Sequence, residues 1–70
     1  MIIVKSNKGK SIYWLTKAAE QGYAKAQYTL GVHYYEGSGV DVDKAQAFDW
    51  FTKAAEQGYA EAQYRLGEYY

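Results

Sequence analysis

Between residues 43 and 57 the apolar positions recur at helical spacing: Ala47, Phe48, Phe51, Ala54 and Ala55. Asp43 precedes them as a candidate N-cap, with Gln46 three residues on, as in a capping box. Gly58 follows, the residue type that lets a helix end in a left-handed position, and Tyr59 can then close over Ala54. The pattern occurs a second time upstream: Asn7 as N-cap, a helix to Gln21, then Gly22 and Tyr23. A second helix type runs from Ala24 to Glu36 and places Tyr23, Ala26, Leu30 and Tyr34 on one face. Gly31 interrupts it at a cost of about 1 kcal/mol against Ala, which predicts a close approach by a neighbouring helix. Gly37-Ser38-Gly39-Val40-Asp41 reads as the link to the next helix. The spacing therefore predicts four helices, at about 8–21, 24–36, 44–57 and 60–70, and no strand.

The two patterns are copies of one another. A shift of 36 lays residues 14–34 on residues 50–70, and 16 of the 21 pairs are identical. Trp14 pairs with Trp50, Gly22 with Gly58, Leu30 with Leu66, Gly31 with Gly67 and Tyr34 with Tyr70. A period of that length marks an array of stacked two-helix units. The expected fold class is all-α: one helical-repeat domain over residues 1–70, an α/α solenoid of fewer than two full repeats. Residues 1–10 diverge, with Gly9 where the second copy has Ala45.

Composition narrows the function classes. At 70 residues the chain forms one domain at most, and it buries only about 60% of the surface its unfolded form exposes. With 10 Ala and 9 Tyr, the expected core pairs rings with small surfaces. The absence of Cys removes disulfides, Cys-ligated zinc and thiol chemistry. The longest apolar run, Met1-Ile2-Ile3-Val4, is far short of a membrane span or a secretory signal. Eight basic and eight acidic residues cancel, and a pI of about 6.5 gives no electrostatic case for nucleic acid. The charge is uneven, however. Lys5, Lys8, Lys10 and Lys17 make residues 1–17 net +4, and the remainder is net −4. That is either a solvated first helix or a basis for attraction between the start of one chain and the acidic part of another.

The run A-Q-Y-x-L-G-x-x-Y-Y-x-G-x-G-V-x-x-D followed by W-x-x-K-A-A-E-Q-G resembles the Sel-one-like repeat, a helix-turn-helix relative of the tetratricopeptide repeat. It is carried by Ala26 to Tyr35, Gly37, Gly39, Val40, Asp43, Trp50, Lys53 to Ala55 and Gly58, and the resemblance covers residues 11–70. Asp41 stands where the family often has Pro, and Gln46 where it usually has Lys. The resemblance implies protein–protein interaction, as an adaptor or scaffold working through a concave helical surface. Family members do this in protein quality control and in bacterial signalling and host interaction. The competing reading is a structural self-assembly unit whose main partner is itself.

Catalysis finds no foothold in the sequence. His33 is the only His, and no ligand set or nucleophile–base pair accompanies it. Gly37-Ser38-Gly39 lacks the spacing of a phosphate loop and is followed by Asp41 and Asp43. Asp41, Asp43 and Asp49 do not follow the calcium-loop pattern. No enzyme activity, metal or cofactor is expected. The candidate binding residues come from comparing the copies. They differ at Lys25/Glu61, Thr29/Arg65, Val32/Glu68 and His33/Tyr69. On a wheel at about 100° per residue these fall within roughly 100° of one another, and Glu36 joins them. Ala24, Ala26, Tyr28, Leu30, Gly31 and Tyr34, identical in both copies where both can be compared, fill the rest. The variable stripe reads as the face for a protein or peptide, with Arg65 and Tyr69 as hot-spot residue types whose loss leaves the fold unaffected. Self-association is expected as well, because stacked repeats need neighbours and the ends carry Ile12, Tyr13 and Trp14 at one side and Tyr69-Tyr70 at the other. No nucleic acid or membrane partner is expected. Lacking a signal or a spanning segment, the chain reads as cytoplasmic, with export of a longer parent left open.

Overall fold

Gly22 and Gly58 set the shape of each unit. Their φ angles of 99° and 88° lie in the left-handed region, where a side chain is strained. In both turns the same two bonds close the helix end. Gly22 N–H donates to Ala19 O at 3.0 Å and Tyr23 N–H to Ala18 O at 3.3 Å. Gly58 N–H donates to Ala55 O at 2.9 Å and Tyr59 N–H to Ala54 O at 3.2 Å. This 5→2 and 6→1 pair is the Schellman motif, and it reverses the chain within three residues.

The computed structural model describes residues 7–69, with side chains from Ser11 onward. Four helices follow in order: α1 (Asn7–Glu20), α2 (Ala24–Glu36), α3 (Lys44–Glu56) and α4 (Ala60–Gly67). The expected bounds agree closely for the first three. α1 begins at Asn7 itself, whose side chain lies outside those described, as do those of the divergent residues 1–10. α4 stops earlier than expected. Glu68 N–H turns to Arg65 O and Tyr69 N–H to Leu66 O, the i to i−3 bonds of a tightened last turn. Tyr70 lies outside the described residues.

The link between units is short and tied at both ends. Gly37 and Ser38 N–H both donate to His33 O, at 2.8 and 2.9 Å, and close α2. Asp43 Oδ1 accepts from Gln46 N–H at 3.0 Å and opens α3. The reciprocal half of a capping box is replaced, because Asp43 N–H donates to Tyr34 O at 2.8 Å. That bond anchors the start of α3 to the end of α2.

Among the described residues the α2–α3 seam is the most extensive helix pairing. At Gly31 a Cβ would stand 2.7 Å from Cδ1 and Cε1 of Phe51 and 3.3 Å from Ala47 O. The interior glycine therefore admits the Phe51 ring, as its place in the sequence implied. Phe51 and Leu30 are the largest fully buried side chains, each worth about 1.5–3 kcal/mol by transfer. Trp50 and Tyr34 pack on the Ala19, Ala26 and Leu30 cluster from outside. A polar clasp completes the seam. Gln57 Nε2 donates to Gly22 O at 2.7 Å and to Gln27 Oε1 at 3.0 Å, while buried Gln27 Nε2 donates to Ala19 O at 3.1 Å. Tyr23, placed on the packing face by the sequence pattern, is instead largely exposed, since it sits in the turn ahead of α2. Tyr59 turns its ring to Tyr28, with centroids 5.4 Å apart. Stacking along one direction gives an elongated body of 45 × 22 × 15 Å.

Candidate protein-binding surface

The variable stripe divides in two. Lys25, Glu36, Glu61 and Glu68 are exposed. Thr29 and Val32 are half-buried, and the Thr29 hydroxyl donates to Lys25 O at 2.8 Å. Arg65 and Tyr69 are engaged within the chain. The Arg65 guanidinium lies 5.7 Å from the Tyr35 ring centre and 5.9 Å from that of Phe51. The nearby Tyr28 hydroxyl, the main cause, raises its pKa above the ordinary value. Tyr69 meets Phe48 edge-on at 5.1 Å, with Tyr35 at 6.3 Å, and its hydroxyl donates to Lys44 O at 3.3 Å. Desolvation raises its hydroxyl pKa. The expectation that losing Arg65 and Tyr69 leaves the fold untouched is thus corrected: Arg65 ties α4, and Tyr69 the turn after it, to α2 and α3.

His33 also sits apart from a free stripe. With Ser11, Trp14, Leu15 and Ala18 it lines an open groove of about 470 Å³ between α1 and α2. Its Nδ1 is buried with no hydrogen-bond partner among the described residues. Among those residues no group of three His, Cys, Asp or Glu is placed to hold a metal, and no helix is long and apolar enough to cross a membrane. Ser38 stands in the turn that closes α2.

A family model described as the Sel1 repeat matches residues 2–23, 24–59 and 60–70. The chain belongs to the Sel1 repeat family. A solved structure described as a Sel1 repeat protein from Oxalobacter formigenes superposes with a TM-score of 0.80 at 46% identity. The match covers 81% of this chain and 24% of the other, so the chain spans about a quarter of that protein's length. Curated protein sequences give no match. Sel1 repeats are generally protein–protein interaction modules.

Within this Sel1 pair the copies differ most in what covers them. Leu30 is fully buried, whereas its twin Leu66 is half-buried. Trp50 is half-buried, whereas its twin Trp14 is 64% exposed. Tyr28 packs between Phe51 and Tyr59, whereas its twin Tyr64 is 73% exposed. The stripe comparison missed these positions because they are identical in both copies. Asking which identical residues face between units, and not within one, would have found them.

Proposed function

We propose that the chain is a non-enzymatic adaptor or scaffold module that binds a protein or peptide along the outer stripe of its second helix type. The family's general role supports this reading. The observation that carries it to a face is the exposure of Lys25, Glu36, Glu61 and Glu68 along the second helix type, which also carries the packed rings of Tyr35 and Tyr69 at its far end. Half-buried Thr29 and Val32 complete the proposed surface, and Arg65 and Tyr69 hold its aromatic side in place. Three acids against Lys25 and Arg65 favour a peptide carrying basic and apolar positions. The working compartment is the cytoplasm, and no cofactor, nucleic acid or membrane takes part.

The test is selection from a displayed random-peptide library, followed by amide-shift mapping of the selected peptide. Shifts centred on Lys25, Glu36, Glu61 and Glu68, with at least tenfold weaker binding to Glu61→Lys/Glu68→Lys, support the face. Shifts confined to α1, or unchanged binding to that variant, contradict it. We also propose self-association, favoured by the uneven exposure of identical residues in the two copies.

A further inference from the structure

The chain contains one complete seam between units, and the outer faces of the two units are its two halves. The first half, on the α1–α2 unit, comprises Ala19, Gly22 O, Gln27, Tyr28, Leu30 and Gly31. The second, on α3, comprises Ala47, Trp50, Phe51, Ala54 and Gln57. A shift of 36 carries the first half to Ala55, Gly58, Gln63, Tyr64, Leu66 and Gly67, all identical in type. The reverse shift carries the second to Ser11, Trp14, Leu15, Ala18 and Gln21, where only Ser11 and Leu15 differ in type.

We propose that a second copy of this chain docks head-to-tail, its α1 lying on the α4 face as α3 lies on α2. This rests on the self-association proposed above and gives it a geometry. Each element of the internal seam has its counterpart waiting. Gly67 has nothing within 4 Å of a built Cβ, the space that Phe51 fills at Gly31. Leu15 is the residue that enters it. Trp14, exposed, takes the place of Trp50 over Ala55 and Leu66. Gln63 Nε2 already donates to Ala55 O at 3.2 Å, as Gln27 does to Ala19 O. The second half of that clasp is absent: among the described residues no donor reaches Gln63 Oε1, and Gln21 makes no side-chain hydrogen bond. In the docked pair Gln21 donates to Gly58 O and Gln63 Oε1 of the other copy, as Gln57 does within the chain. The groove lined by Trp14, Leu15, Ala18 and His33 is the one α4 enters.

Charge runs the same way. Residues 1–17 are net +4, and the receiving end carries Glu56, Glu61 and Glu68 against Arg65. The two faces lie at opposite ends of a 45 Å body, so one chain cannot close the contact on itself. A contact between different faces repeats, giving a growing series or a ring and not a two-fold closed pair.

Two variants block one end each. Trp14→Glu places a charge on the α1 face, and Gly67→Arg fills the α4 face. Neither position packs in the monomer's interior, and circular dichroism on dilute samples checks that both fold. Sedimentation velocity of the 70-residue chain from 5 to 500 μM should show a concentration-dependent series. Each variant alone should remain monomeric, with association at least tenfold weaker. An equimolar mixture keeps one intact head and one intact tail, and should form a dimer that grows no further. A parent that stays monomeric at 500 μM overturns self-association and this geometry with it. An oligomer that survives both substitutions, or a mixture that stays monomeric, leaves self-association standing and overturns the head-to-tail seam.

Discussion

Gly31 and Gly67 are the same residue in the same repeat position with opposite surroundings, so one substitution read at both isolates the seam. Gly31→Ala places a methyl 2.7 Å from two Phe51 ring atoms and 3.3 Å from a backbone oxygen. Phe51 is fully buried and cannot swing out of the way, so the ring and α3 must shift. Overpacking of that kind costs about 1–3 kcal/mol. Replacing Gly by Ala in a helix returns about 1 kcal/mol. The net for Gly31→Ala is a loss of about 1 kcal/mol, or about 4–8 °C in melting temperature for a domain of this size. Gly67→Ala meets nothing within 4 Å, and at the last helical residue it gains a fraction of the propensity term. Only part of the propensity gain cancels between the two, so Gly31→Ala should fall below Gly67→Ala by about 1–2 kcal/mol, and the sign of that difference is set by the strain at Phe51. The assay is urea unfolding followed by circular dichroism at low micromolar concentration, where association does not contribute. If the two variants shift the midpoint equally, Phe51 does not occupy the Gly31 notch and the reasoning about the seam fails.

Asp43→Ala should cost about 1 kcal/mol by removing the bond to Gln46 N–H that opens α3, visible as a lower urea midpoint. Arg65→Ala/Tyr69→Ala should destabilise by about 2 kcal/mol, from the two cation–π contacts of Arg65 and the three edge contacts of Tyr69 with Tyr35, Phe48 and Phe51; an unchanged midpoint would return both residues to the free stripe. Burial raises the hydroxyl pKa of Tyr69, and desolvation followed by Glu61 and Tyr28 raises that of Tyr59. A raised folded-state pKa means stability that is fully present below the unfolded tyrosine value near 10 and lost as pH rises through the folded values. Unfolding midpoints should therefore be insensitive to these groups at neutral pH and fall above about pH 10, less steeply in Tyr69→Phe.

The features legible in the sequence are those set by local chemistry or by one residue's size. Gly22 and Gly58 announce helix ends because only a left-handed residue completes the Schellman bonds. Gly31 announces a close approach because nothing else justifies its cost within a helix. Asp43 was readable as a cap, but the diversion of its N–H to Tyr34 O was not, since that depends on how the link folds back. The reading of Arg65 and Tyr69 went astray for a physical reason. Difference between copies does not mean freedom from packing, because the copies do not have the same neighbours. Arg65 has Tyr28, Tyr35 and Phe51 beside it, whereas its twin Thr29 turns back on its own helix. Identity misleads in the opposite direction, as Trp14 and Tyr64 match packed, half-buried twins and stand exposed. Burial in a solenoid belongs to the gap between units, which no single helical wheel contains.

Hydroxyl-radical footprinting of the native chain across a concentration series tests the central claim most directly, since Trp50 and Tyr28 serve as internal references for Trp14 and Tyr64. In dilute solution Trp14 and Tyr64 should be oxidised several-fold faster than their twins. As concentration rises, both should become protected together and approach the rates of Trp50 and Tyr28, which stay constant. Rates at Trp14 and Tyr64 that do not change up to 500 μM, or protection of one without the other, would contradict the account of a seam that the two ends share.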